Sequence, residues 1–122
     1  PTASFITGYP GHNIKNIKLS DIEITGLGGK SYSSDLELVE ENEKDYPGEH
    51  IHKSDFPASG LYMRHVENVV LNNVYFHTLS HDSRPTIYVD DCQSIEFNNV
   101  CANHGKAFKI KKIRSKNIQV NF

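Results

Sequence analysis

The chain is poor in the residues that mark a special environment. Of its 122 residues two are cysteine, one is methionine and none is tryptophan. Two cysteines exclude a disulfide-dense mini-scaffold and a four-thiolate zinc site. No apolar run approaches the roughly 18–20 residues that a membrane-spanning helix needs, and no signal-peptide pattern opens the sequence. An excess of one charge is also missing: 13 Lys and Arg stand against 15 Asp and Glu, a net −2. Nucleic-acid-binding domains carry a clustered basic surplus, so that balance argues against nucleic acid as the main partner. The basic cluster from Lys106 to Lys116 is offset by the acidic run from Asp35 to Asp45. What is there, a hydrophobic fraction of 37%, suffices for a core and excludes wholesale disorder. Composition leaves a soluble globular chain of β type, with no cofactor, membrane or nucleic-acid partner expected.

A repeat organises the sequence. Asn16-Ile-Lys-Leu-Ser-Asp-Ile-Glu-Ile24 aligns with Asn68-Val-Val-Leu-Asn-Asn-Val-Tyr-Phe76 and with Ser94-Ile-Glu-Phe-Asn-Asn-Val-Cys-Ala102. A fourth copy begins at Asn117-Ile-Gln-Val-Asn-Phe122. The offsets from Asn16 through Asn68 and Ser94 to Asn117 are 52, 26 and 23 residues, so one degenerate unit or one insertion separates the first two copies. Each copy reads apolar, any, apolar, a polar pair, then apolar, any, apolar. That is the alternation of very short strands with polar corners, each sending alternate side chains inward. A second strand precedes each later copy, at Leu61 to Arg64, Thr86 to Val89 and Ala107 to Ile110, and Met63 to Val89 is again 26 residues. Only Ser33 to Lys44 has any helical character. These periods predict an all-β parallel β-solenoid of about four to five rungs, stacked at about 4.8 Å.

The corner residues Asn72, Asn73, Asn98 and Asn99, with Asp21 in the first copy, suit turns because Asn tolerates left-handed dihedrals. Stacked rungs would set them above one another as a ladder. Residues 27–58, with Gly28-Gly29, an acidic run and two prolines, read as one long loop insertion, which on a solenoid collects on one flank. No polar cap is read at either end, so end-to-end self-association of a β-helix segment of a larger protein is expected.

Three strings carry a resemblance: Ile6-Thr-Gly-Tyr-Pro-Gly-His12, Phe56-Pro-Ala-Ser-Gly-Leu-Tyr-Met-Arg-His-Val66, and Asp82-Ser-Arg-Pro-Thr-Ile-Tyr-Val-Asp-Asp91. Together with the segment from Glu40 to Pro47 they resemble, over nearly all of the chain, the C-terminal third of bacterial polygalacturonase-like enzymes, glycoside hydrolase family 28. Ser59 departs from the pattern where an aromatic Tyr is expected, so no sugar-stacking contact is read there. The resemblance implies a right-handed parallel β-helix, a pectin-like acidic polysaccharide as partner, a secreted or periplasmic location, and inversion at the anomeric carbon. Inversion needs a carboxylic acid and a carboxylate base roughly 6.5–9.5 Å apart. The family's Asn-Thr-Asp string that supplies part of this set is not found in this sequence, and the family's catalytic motifs lie upstream of the region resembled. A stand-alone β-solenoid carbohydrate-binding or adhesin module, without catalysis, is the alternative.

Several residues are candidates for chemistry. Asp90 and Asp91, followed by Cys92, read like the family's Asp-Asp-Cys, and His104-Gly105 like part of its Gly-His-Gly. Lys109-Ile-Lys111 then stands for a worn Arg-Ile-Lys. Chemically the set offers an acid, a base and an orienting imidazole, but Asp90-Asp91 also aligns with Arg64-His65 in the repeat, at a corner between strands. The corner reading is preferred. Arg64, His65, Arg84, Lys109 and Lys111 are cations on or beside strands that suit a galacturonate carboxylate, an Arg in bidentate fashion, with Tyr62 and Tyr88 as neighbouring aromatics. His50 and His52 have the alternate spacing of two metal ligands, but only Asp55 lies near to extend the set, so no metal site is expected. A disulfide between Cys92 and Cys101 is conceivable, against small buried apolar roles for both.

Overall fold

A computed structural model describes residues 3–29, 57–103 and 108–121. Its elements are β1 (Ser4–Thr7), β2 (Ile14–Gly28), β3 (Leu61–Ser80), β4 (Ile87–Ala102), β5 (Ile110–Ile113) and β6 (Lys116–Asn121), with no helix among the described residues. All six belong to one open sheet, and the pairings between these described strands are parallel, beside an isolated antiparallel bridge between Tyr9 and His12. β1 and β2 both pair with β3, β3 with β4, and β4 with both β5 and β6, so the described strands form four tiers. Partners in adjacent tiers are 52 residues apart from β2 to β3 (Ile17 with Val69), 26 from β3 to β4 (Val69 with Ile95), and 23 from β4 to β6 (Ile95 with Ile118). These are the offsets of the sequence repeat.

The short strands expected from the repeat run together into long ones. β3 is 20 residues and β4 is 16. Single residues at positive φ bend the chain without breaking the pairing, and they recur at equivalent places in successive tiers. One set is His65, Asp91 and Arg114, with φ of 55°, 52° and 51°. A second is Asn16, Asn68, Ser94 and Asn117, and a third is Asp21, Asn73 and Asn99. Asn and Asp enter the left-handed region at the least cost among non-glycine residues, which explains why the corners read as polar pairs.

Stacking aligns like with like. Asn99 Nδ2 donates to Asn73 Oδ1 at 2.8 Å, and Asn73 Nδ2 to Asp21 Oδ1 at 3.0 Å. Beside that ladder runs another, from Asn121 to Asn98 to Asn72, with both steps 2.8 Å. The opposite face of the strands builds the core. Columns such as Ile17–Val69–Ile95–Ile118 and Leu19–Leu71–Phe97–Val120 follow the register, and their members in the two middle tiers are fully buried. In the outer tiers Ile17, Leu19, Ile118 and Val120 are half-buried. One column ends differently. Ile6, Met63 and Val89 are succeeded in register by the exposed Lys112.

The insertion read at 27–58 begins later than expected, because β2 continues through Leu27 and Gly28, with Gly28 paired to Ser80. At its other end Pro57 and Ala58 are buried parts of the fold. The stretch with helical character, Ser33 to Lys44, lies outside the described residues.

Candidate functional site

The parallel register brings the candidate residues to one corner of the stack. Arg64 pairs with Asp90 and Asp90 with Ile113, so Arg64, Asp90 and Arg114 come together on three successive tiers. Arg114 Nε and Nη2 donate to Asp90 Oδ1 and Oδ2, each at 2.8 Å, the planar fork that suits a carboxylate. From the tier before, Arg64 Nε lies 3.4 Å from Asp90 Oδ2. The Asp90 side chain is 8% exposed. Asp90 is thus gripped by one guanidinium and flanked by a second, an ion pair that ties three tiers together at the corner.

Asp91 differs. Its Oδ2 lies 2.7 Å from His65 Nδ1, with the imidazole buried and the carboxylate 44% exposed. Both residues occupy the left-handed bend of their tiers, and the buried ring fixes where the exposed carboxylate stands. Asn103, at the place of the first glycine in a Gly-His-Gly string, takes φ of 46° and accepts from Thr78 N through Oδ1 at 3.0 Å. His104 lies outside the described residues, as do His50, His52 and Asp55. Among the described residues no group of three His, Cys, Asp or Glu is placed to hold a metal ion.

Three of the suggested sugar contacts, Tyr62, Tyr88 and Arg84, are enclosed in the fold. Tyr62 and Tyr88 are 1% and 0% exposed, stacked with ring centroids 5.6 Å apart and packed with Ala3, Ala58 and Ile113. Their rings hold the fold together and present no face to a saccharide. Arg84 is equally enclosed: its Nη2 and Nε donate to Asp82 Oδ2 and Oδ1 at 2.7 and 2.9 Å, and both side chains are 1% exposed. It braces the segment before β4. Arg64 and His65 are also buried, against Asp90 and Asp91. Lys109 and Lys111 are exposed.

The cysteines do not form a disulfide. Cys92 points into the core, whereas Cys101 lies between the inward-facing Val100 and Ala102 and so faces outward. Burial pushes the Cys92 thiol up from 9.0 to about 12.

A wide concavity lies beside this corner, and of the residues that line it only Asp91 was a candidate in the sequence. It is open to solvent, has a volume of about 430 Å³ and is lined by Gly11, His12, Asn13, Lys15, Glu67 and Asp91. Its wall is a turn held in three ways. Tyr9-Pro10-Gly11-His12 closes with His12 N donating to Tyr9 O at 2.9 Å, with Gly11 at φ 77°, the residues and geometry of a type II turn. Gly8 N donates to Arg64 O at 2.9 Å. A side chain at Gly8 would place its Cβ 2.5 Å from His65 O, so the turn docks against the corner only because residue 8 is glycine. Prolyl and glycyl residues in Tyr-Pro-Gly-His signal the turn, but only the register reveals that Glu67 and Asp91 face it from two other tiers.

No protein-family model, curated protein or solved structure matches this chain.

Proposed function

We propose that this chain is the C-terminal β-helix portion of a polygalacturonase-like glycoside hydrolase. In this reading it is a right-handed parallel β-solenoid that shapes one end of a groove for pectin-type polysaccharide, and residues outside this sequence carry the inverting hydrolysis. The observation that carries the reading is the parallel register at 26 and 23 residues, with left-handed corners stacked tier on tier, across the same segments that hold the family-like strings. Asp90 is consistent with it from the chemical side, since its carboxylate is bound by Arg114 in the way the corner reading expects.

The last tier supplies the contact with an acidic chain. Residues 108–121 contain Lys109, Lys111, Lys112, Arg114 and Lys116 and no acidic residue, and all five are exposed. Cations spaced along one tier attract a polyanion through long-range, salt-sensitive forces. A polysaccharide of this kind belongs outside the cell or in a periplasm, which is the location the reading entails.

The test is migration of the chain through a native gel containing homogalacturonan, together with a reducing-end assay on the same polymer. Retardation that is relieved by salt, with no release of reducing ends, is expected. Unretarded migration at low salt overturns the polysaccharide contact. Turnover that disappears on Asp90→Ala and Asp91→Ala overturns the structural role of the corner and makes this a small hydrolase in its own right.

A further inference from the structure

The concavity between the Tyr9–His12 turn and the tier corners has a composition unlike that of the basic last tier. Its lining is mostly polar, with no aromatic or aliphatic residue among Gly11, His12, Asn13, Lys15, Glu67 and Asp91. An apolar ligand would find no aromatic or aliphatic residue to pack against there. Its charge is one positive from Lys15 against two negative from Glu67 and Asp91, a net −1 with His12 neutral. An anion entering it is repelled. The described residues hold no metal-binding group of three, so a bare metal ion lacks the ligands it needs. What such a wall does match is a neutral molecule with many hydroxyls, because each hydroxyl both donates and accepts.

Preorganisation points the same way. The turn is tied to β3 by the Gly8 N to Arg64 O bond, and Asp91 is fixed through Oδ2 by the buried His65. Asp91 Oδ1 has no hydrogen bond among the described residues. Glu67 lies 3.7 Å from Lys15 Nζ, a half-exposed pair that solvent screens and a ligand can share. Polar groups already held in position lose little freedom when a ligand arrives. At about 430 Å³ the open concavity has room for one sugar ring, within the usual range of about 300–1,000 Å³ for small-ligand sites.

We propose that this concavity is a subsite for a neutral glycosyl unit. Glu67 and Asp91 accept hydrogen bonds from ring hydroxyls, and Lys15 and Asn13 donate back. The assignment rests on the reading of the chain as a saccharide-contacting β-solenoid, and it separates two contacts on it: uronates at the basic tier, a neutral sugar at this corner.

The experiment is an amide NMR titration of the 122-residue chain with galactotriose and, separately, with trigalacturonate. With both probes α-1,4-linked, they differ only at C6 of each residue, where a hydroxymethyl replaces a carboxylate. Galactotriose should shift the amides of Gly11, His12, Asn13, Glu67 and Asp91 saturably. Trigalacturonate should do so about fivefold more weakly or less, as expected for one extra like charge near 4 Å in water. Asp91→Asn, which suits a left-handed bend, and Glu67→Gln each weaken galactotriose binding, and the double variant moves the wall from −1 to +1 and reverses the preference. Silence of these five amides toward galactotriose overturns the proposal, as does tighter binding of trigalacturonate to the unaltered wall. Trigalacturonate that shifts no amide anywhere counts instead against the acidic-polysaccharide contact, so the two readings fail separately.

Discussion

A guanidinium whose side chain is 1% exposed persists in a protein interior only while its charge is answered, and Asp82 answers Arg84 with both carboxylate oxygens. Asp82→Ala should therefore cost about 3–5 kcal/mol, the range for stranding one half of a buried pair; a loss below about 1 kcal/mol in urea unfolding would show that Arg84 does not depend on it. Cys92 gives a pH signature. Its thiol is pushed from 9.0 to about 12 by burial. Below pH 9.0 the folded and unfolded thiols both keep their proton, so Cys92 adds no slope. Between 9.0 and about 12 the unfolded state has lost a proton that the folded state retains. Stability then falls as pH rises, by at most about 1.4 kcal/mol per pH unit from this residue. Urea unfolding through that window should show a shallower decline in Cys92→Ala than in the parent; equal slopes would contradict the assignment. At this scale the sequence was least informative. Tyr62 and Tyr88 occupy outward positions of an alternating strand, and nothing in that alternation reveals that Ala3, Ala58 and Ile113 cover them. Arg114 went unnoticed as the partner of Asp90, although its 24-residue spacing lies close to the repeat.

The element that the sequence disclosed most fully is the corner. Polar pairs inside each copy marked the bends because a left-handed residue costs Asn less than most others, and stacking then turned identical residues into ladders. Asn73 belongs to both effects: it has φ of 55° and bonds Asp21 and Asn99 at once. Asn73→Ala should lose about 1–2 kcal/mol for the backbone and about 0.5–1.5 kcal/mol for each exposed bond at most. Asn73→Gly restores the backbone freedom but not the ladder, so its thermal unfolding should fall between those of the parent and Asn73→Ala. Equal stability of the Gly and Ala variants would mean that the bend carries no conformational cost. Strand lengths were less legible, since alternation stops at a corner while pairing carries on through it.

Across the whole molecule, parallel stacking predicts columns, and columns have ends. The apolar column Ile6–Met63–Val89 closes with Lys112, and inward-directed charge is a known way of blunting a β-edge. A second copy stacked head to tail in the same register would bury Lys112 and would also set Lys116 against the next copy's Lys15. The end-to-end association suggested by the sequence meets this charge at one face. Lys112→Met should accordingly strengthen self-association in sedimentation velocity, and ordered stacks formed equally well by the parent chain would contradict that. The repeat made the tiers readable from sequence, whereas the concavity was not, because its walls come from a turn and from corners 52 and 26 residues apart. All of these assignments depend on the 26-residue parallel register between β3 and β4. The direct test is oxidative cross-linking of a Val70→Cys, Glu96→Cys pair in a background with Cys101→Ser, since these two are register partners on an outward row. The register predicts rapid closure of a disulfide between positions 70 and 96 and none between 70 and a cysteine placed at Gln93 or Gln119; cross-linking that favours either of the latter would contradict it.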